Sequence, residues 1–148
     1  MGRQALEQAL GVRQQKRMAE QEGMLQRLKD LVSKEDWRGL VAMEDEAGRV
    51  ARQAPLHVAG VIYGMLGYSY QSMGEYARAI ALHEEHKKIA EEVGDRAEVG
   101  MACGSLGICY ESMGEYARAI ALHAEGKKIS EEIGDRAGVG QALSLIHI

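Results

Sequence analysis

His83, Glu84, Glu85 and His86 form the stretch of this chain that comes nearest to a metal site, because two histidines three residues apart on a helix share a face. Metalloprotease helices, however, space their histidines four apart around the glutamate that serves as general base. Forty residues further on the same context reads His123-Ala124-Glu125-Gly126, so the second imidazole is lost. His83 and His123 are therefore predicted to be half-buried packing residues, with His86 at the margin between interior and surface. A metal-binding protein built on His83 and His86 is the remote alternative. Gly60, Gly64 and Gly67, repeated as Gly100, Gly104 and Gly107, imitate the spacing of a phosphate loop. Such loops need a strand before them and a Lys-Ser or Lys-Thr pair after them, and neither is present. Close approach between helices is the role left to these glycines, at a loss of about 1 kcal/mol per interior glycine relative to alanine. Cys103 and Cys109 lie six apart, which on one helix turns the thiols to different faces, so they are read as small buried hydrophobes of a reducing compartment. No Ser-His-Asp or Cys-His constellation recurs at matched positions. The chain is predicted to be no enzyme and to need no cofactor.

The elements that hold these residues follow from composition and from a repeat. The 148 residues suffice for one compact domain or a short stack of units, and 46% hydrophobic with 27% charged residues excludes wholesale disorder. A net charge of -4 with both signs interspersed offers no basic field for a nucleic acid. No window supplies the roughly 20 apolar residues of a membrane span. Glu7 and Gln8 interrupt the short apolar stretch near the N-terminus, so no secretory leader is expected and the cytoplasm is the expected location. Eighteen glycines beside a single proline cannot be loop material and must serve packing or capping.

Residues 60–99 and 100–139 align without a gap at a period of 40, with about 28 of the 40 positions identical. Met73 to His83 returns as Met113 to His123, and Gly94-Asp95-Arg96-Ala97 as Gly134-Asp135-Arg136-Ala137. Each unit reads as two helices. Val99, Ala102, Cys103, Leu106, Gly107 and Tyr110 line one face of the first, and Tyr116, Ala119, Ile120, His123 and Ile129 the inward side of the second. Gly94 is predicted to close a helix at positive φ while Asp95 caps the next, with Glu98 completing a capping box. Trp37, Leu40 and Ala47 fill the slots of Tyr76, Ala79 and His86 after a one-residue shift, and Pro55 opens the helix that follows. Helices are thus expected near 2–20, 20–33, 36–53, 56–72, 76–92, 96–112, 116–132 and 136–146. The division is an N-terminal helix at 1–19, a degenerate unit at 20–55, full units at 56–95 and 96–135, and the first helix of a truncated fourth at 136–148.

These units resemble tetratricopeptide repeats, in a 40-residue variant with a Gly-Asp-Arg linker. The pattern is carried by Leu66-Gly67, Tyr70, Gly74, Tyr76 and Ala79, and again by Leu106-Gly107, Tyr110, Gly114, Tyr116 and Ala119. The pattern is similar to that of adaptor proteins that modulate G-protein and spindle-orientation complexes, and to that of many repeat arrays in large signalling proteins. The resemblance implies an all-α fold, an α-solenoid of antiparallel helix pairs wound into a right-handed superhelix, with a ligand in the concave groove of first helices. The peptide-gripping asparagines of the adaptor group are replaced here by Met65-Leu66-Gly67-Tyr68 and Ser105-Leu106-Gly107-Ile108. Gly64, Gly104, Tyr68 and Ile108 stand where the carboxylate clamp of chaperone-binding relatives would lie, so neither ligand class is inherited.

By family position the groove is expected to present Val61, Met65, Tyr68, Gln71 and Ser72 from one unit and Met101, Ser105, Ile108, Glu111 and Ser112 from the next, with Arg96 and Arg136 at the corners. That surface suits a peptide or protein segment with apolar anchors. The alternative is a fragment of a longer solenoid that self-associates as a homodimer through its C-terminal helix. There the pattern breaks after Ala142, His147 falls on the slot of Gly107, and Leu143, Leu145, Ile146 and Ile148 have no second helix to cover them. No metal, nucleic acid or membrane partner is expected.

Overall fold

Glycines at positive φ set three of the corners. Gly74, Gly94 and Gly114 have φ of 78°, 79° and 77°, a region open to glycine without the steric penalty other residues meet. The computed structural model describes the backbone of residues 2–146 and the side chains of residues 2–134. Over that span the chain is all helix, without a strand: α1 (Gly2–Ser33), α2 (Trp37–Ala42), α3 (Glu44–Gln53), α4 (Leu56–Ser72), α5 (Tyr76–Val93), α6 (Arg96–Ser112) and α7 (Tyr116–Ile146). α4 packs along α5, α6 along α7, and α6 along α5, so the pairs stack as a solenoid. At the α5–α6 corner the amides of Gly94 and Asp95 both bond to the carbonyl of Ala90, at 2.9 and 3.0 Å, while Asp95 Oδ1 accepts from the amide of Glu98 at 3.1 Å. One residue ends a helix and the next begins another.

Three expectations about helix bounds are corrected. Residues 2–33 form one helix, since neither Gly11 nor Gly23 takes a positive φ; only Met24 and Leu28 of it are buried, and residues 2–20 are exposed along their whole length. The single helix expected at 36–53 is broken at Met43. Leu40 and Ala47 are nonetheless buried as Ala79 and His86 are. Third, Gly134 does not end its helix: it lacks a positive φ, and α7 runs on through 136–146. Glycine permits a stop but does not enforce one. At Gly94 the next helix is held back by His86, whose Nε2–H donates to Glu98 Oε2 at 2.7 Å; the equivalent positions are Gly126 and Gly138. The expectations about Leu143, Leu145, Ile146, His147 and Ile148 lie outside the described residues.

The face of α6 is buried as its spacing predicts, from Val99 through Ala102, Cys103, Leu106 and Gly107 to Tyr110, and Cys109 joins it. On α7, Ala119 and Ile129 are buried, but Tyr116 (64%) and Ile120 (68%) are exposed and His123 is half-exposed. Their counterparts Tyr76, Ile80 and His83 lie on α5, beneath α6, with Ile80 packed against Leu106 and Tyr110. Inwardness on a second helix is conferred by the next first helix.

The repeated glycines are seats for side chains of the paired helix. A Cβ on Gly67 would lie 2.8 Å from the His83 ring, and one on Gly107 would lie 2.6 Å from the His123 ring. Gly60 and Gly100 receive Ile89 and Ile129 in the same way, each at 3.2 Å. Gly64 faces His86 at 3.0 Å, but its copy Gly104 meets nothing within 4 Å, because Gly126 replaces the histidine. Identical substitutions therefore have opposite signs. Gly104→Ala is expected to stabilise the fold by up to about 1 kcal/mol through helix propensity. Gly67→Ala, against a fully buried ring, is expected to destabilise it by about 1–3 kcal/mol through overpacking. Urea unfolding of the two variants decides the matter, and a common sign for both is incompatible with the seats.

Candidate partner-binding groove

The first helices α4 and α6 lie side by side and leave a wall of apolar residues uncovered. Met101 is 62% exposed, Ile108 47% and Tyr68 46%, with Val61 beside them. α4 carries no Asp, Glu, Lys or Arg over its whole length, so nothing on it favours solvent strongly. Val61, Met65, Tyr68, Met101 and Ser105, five of the expected groove residues, line one pocket of about 250 Å³ together with Val32, Gly64, His83, His86 and Glu98. Trp37 meets Tyr68 edge-on, with ring centroids 5.4 Å apart, and so fixes the tyrosine from the α2 side.

The remaining expected residues are placed differently. Gln71 turns inward, its Oε1 3.0 Å from His83 Nε2. Its copy Glu111 is exposed and stands 3.6 Å from His123 Nε2. Ile108, Ser72 and Ser112 are exposed but do not line the pocket. Arg96 is paired with Glu132 at 3.1 Å, and the Arg136 side chain lies outside the described residues. Trp37, Val32, His86 and Glu98 were not among the expected groove residues. For Glu98 a signal was present in the Asp-x-x-Glu spacing, but its carboxylate reaches across to His86 instead of back to the amide of Asp95.

The two histidines of α5 behave as structural groups. His83 is 2% exposed, and with Nε2–H donated to Gln71 its Nδ1 is buried without a partner, facing the bare Cα of Gly67. Burial first, and the neighbouring His86 second, push its pKa from 6.5 down to about 4, so it is neutral at physiological pH. His86 is engaged with Glu98. The half-buried and marginal positions expected for them are thus both corrected to buried, while His123 is half-exposed. Among the described residues no group of three or more His, Cys, Asp or Glu gathers where a metal could be held. Cys103 and Cys109 are free and buried, and burial pushes both thiols up to about 11, which makes them poor nucleophiles.

The wall is kept in register by a second recurring device. The Tyr70 hydroxyl at the end of α4 donates to Glu44 on α3, and Tyr110 at the end of α6 donates to Glu84 on α5 at 3.0 Å, each acceptor standing 26 residues earlier. Arg78 and Arg118 cover the two rings, each 5.4 Å from the centroid, and Arg78 also pairs with Glu44 at 2.6 Å. Burial and the acceptor carboxylates raise the pKa of both phenols, which keeps them donors.

Paired helices, corner glycines and an uncovered wall of first helices define a helical-repeat solenoid. The tetratricopeptide repeat model matches residues 58–132, about half of the chain, and the chain belongs to that family. No curated protein matches it. Tetratricopeptide repeats serve generally as scaffolds for protein interaction. No helix among the described residues is long and apolar enough to cross a membrane.

His83 also makes stability depend on pH. Between 6.5 and about 4 the unfolded chain takes up a proton that the folded chain refuses. Its contribution is therefore complete above 6.5 and is lost as pH falls towards 4, by about 3 kcal/mol. Urea unfolding at about pH 7 and about pH 4.5 is expected to show a smaller loss of stability for His83→Gln than for the parent chain. Equal losses would remove the buried imidazole as a cause.

Proposed function

We propose that the wall formed by α4 and α6 holds a short segment of a protein partner, and that the chain acts as a cytoplasmic adaptor of the kind its repeat variant resembles. The carrying observation is the gathering of Val61, Met65, Tyr68 and Met101 around one open pocket while the charged residues of α5 and α7 stay on the other side. Exposed aromatic and methionine side chains are suited to anchoring a partner, since Tyr buries a large area with few torsions to fix and the flexible thioether of Met adapts to irregular apolar surfaces. In this reading residues 20–55 serve as a first, degenerate unit that supplies Val32 and Trp37 to the groove edge, 56–95 and 96–135 are the full units, and 136–148 belong to a fourth. Buried free thiols accord with a reducing compartment.

A second reading has its own observation. Tyr116 and Ile120 on α7 are exposed where their counterparts on α5 are half-buried, and a second copy of the chain covering them would make the protein a homodimer. Light scattering is expected to give a mass above that of the monomer at high concentration and a monomer for Ile120→Lys. A monomer at every concentration ends that reading.

For the groove, peptides selected from a phage-displayed random library on the immobilised chain serve as probes. Tyr68→Ala and Met101→Asp are each expected to weaken a selected peptide about tenfold or more, as loss of a binding anchor does, with helical circular dichroism unchanged. Ala121→Asp, on the opposite side, is expected to have no effect. The reverse pattern refutes the groove.

A further inference from the structure

Resting on that groove reading, we infer that the bound segment carries a lysine or arginine two residues from a bulky apolar side chain. Beside the apolar pocket lies a second one of about 230 Å³, and the two share Val61, His86 and Glu98. The second pocket is lined by the aliphatic Val61, Ile89, Ala90 and Val93 together with Asp95, Glu98, His57 and His86. A pocket of aliphatic groups and carboxylates is complementary to the stem and cation of Lys or Arg, which bury their methylenes while the charge meets polar partners.

The carboxylates retain capacity for such a cation. Glu98 uses Oε2 for His86 and Asp95 uses Oδ1 for the amide of Glu98. Their second oxygens have no partner among the described residues, and no Lys or Arg lines either pocket. Arg96, next to Asp95 in the sequence, is paired with Glu132 instead. The apolar pocket has no comparable excess of charge. It is floored by His83 and walled by Met65, Tyr68 and Met101, and so takes a side chain such as Leu, Met or Phe.

The spacing follows from the helix beneath. On α4 the second pocket is lined by His57, Gly60 and Val61 and the apolar one by Val61, Gly64 and Met65, a displacement of four residues or about 6 Å at about 1.5 Å per residue. Residues two apart on one face of an extended chain are roughly 6.5–7 Å apart. An extended segment with a cation at one position and an apolar anchor two positions away fills both pockets at once.

The test uses the random peptide library on the full chain. Expected is enrichment of sequences with Lys or Arg two positions from Leu, Met or Phe. In a selected peptide, Lys→norleucine is expected to weaken binding about tenfold, the size of a lost charge-assisted hydrogen bond, and Lys→Glu more than that. Glu98→Lys in the chain is expected to restore the Glu-bearing peptide, which a merely misfolded variant could not do. If selected peptides lose binding with Tyr68→Ala or Met101→Asp but show no preference for a cation, the inference is wrong and the groove stands. If they ignore those two variants, or if nothing is enriched, both are wrong.

Discussion

Two helices of one unit can lie as close as they do here because a hydrogen stands where a side chain would be. At Gly67 and Gly107 the missing Cβ is the space the imidazoles of His83 and His123 occupy, and Gly60 and Gly100 do the same for Ile89 and Ile129. The helix gives up intrinsic propensity at each glycine and regains it as contact with its partner. From this the rest follows. A close pair brings His83 under α6 and strips it of water, which fixes it as neutral. It also leaves Tyr68 and Met101 exposed, with Trp37 against one edge of the tyrosine.

Between units, apolar contacts such as Ile80 against Leu106 and Tyr110 are joined by forces of another kind. The Tyr–Glu bonds with their covering arginines, and the His86–Glu98 bond, are polar, directional and few. Each joins a helix to one in the neighbouring pair. They decide register, whereas glycine and apolar contact decide distance. The unbroken course of α7 shows the difference: the Gly-Asp-Arg sequence is present, but the positions equivalent to His86 and Glu98 are glycines. A corner therefore needs both a residue able to turn and a contact that makes turning favourable.

This division accounts for what could be read from the sequence. Corner glycines 74, 94 and 114, the Asp95 cap and the buried face of α6 are local or periodic features, and periodicity exposes them directly. Five of the residues expected to be presented by the first helices come together at one pocket. What stayed hidden depends on distant partners. The continuity of α1 through Gly11 and Gly23, and of α7 through Gly134, is announced by no local signal. Glu98 had a plausible local role as a capping arm, yet an imidazole from the preceding helix claims it. Tyr116 and Ile120 carry the same letters as half-buried residues 40 positions earlier, and only a neighbouring helix distinguishes the two environments. Trp37 lies in the unit whose alignment needed a shift, so its position against Tyr68 had no repeated counterpart to announce it.

The tyrosine–glutamate bonds give the stack a direction. Each unit carries its donor at the end of its own first helix and finds the acceptor on the unit before it, so a duplicated stretch of 40 residues brings with it half of a joint that its predecessor already completes. Glu44 and Glu84 continue that series, and Ala124 ends it. An array enlarged by tandem copying of the 56–95 unit would inherit working joints at every seam, whereas one enlarged by copying the 96–135 unit would be assembled from pieces that no longer offer the next one a place to attach.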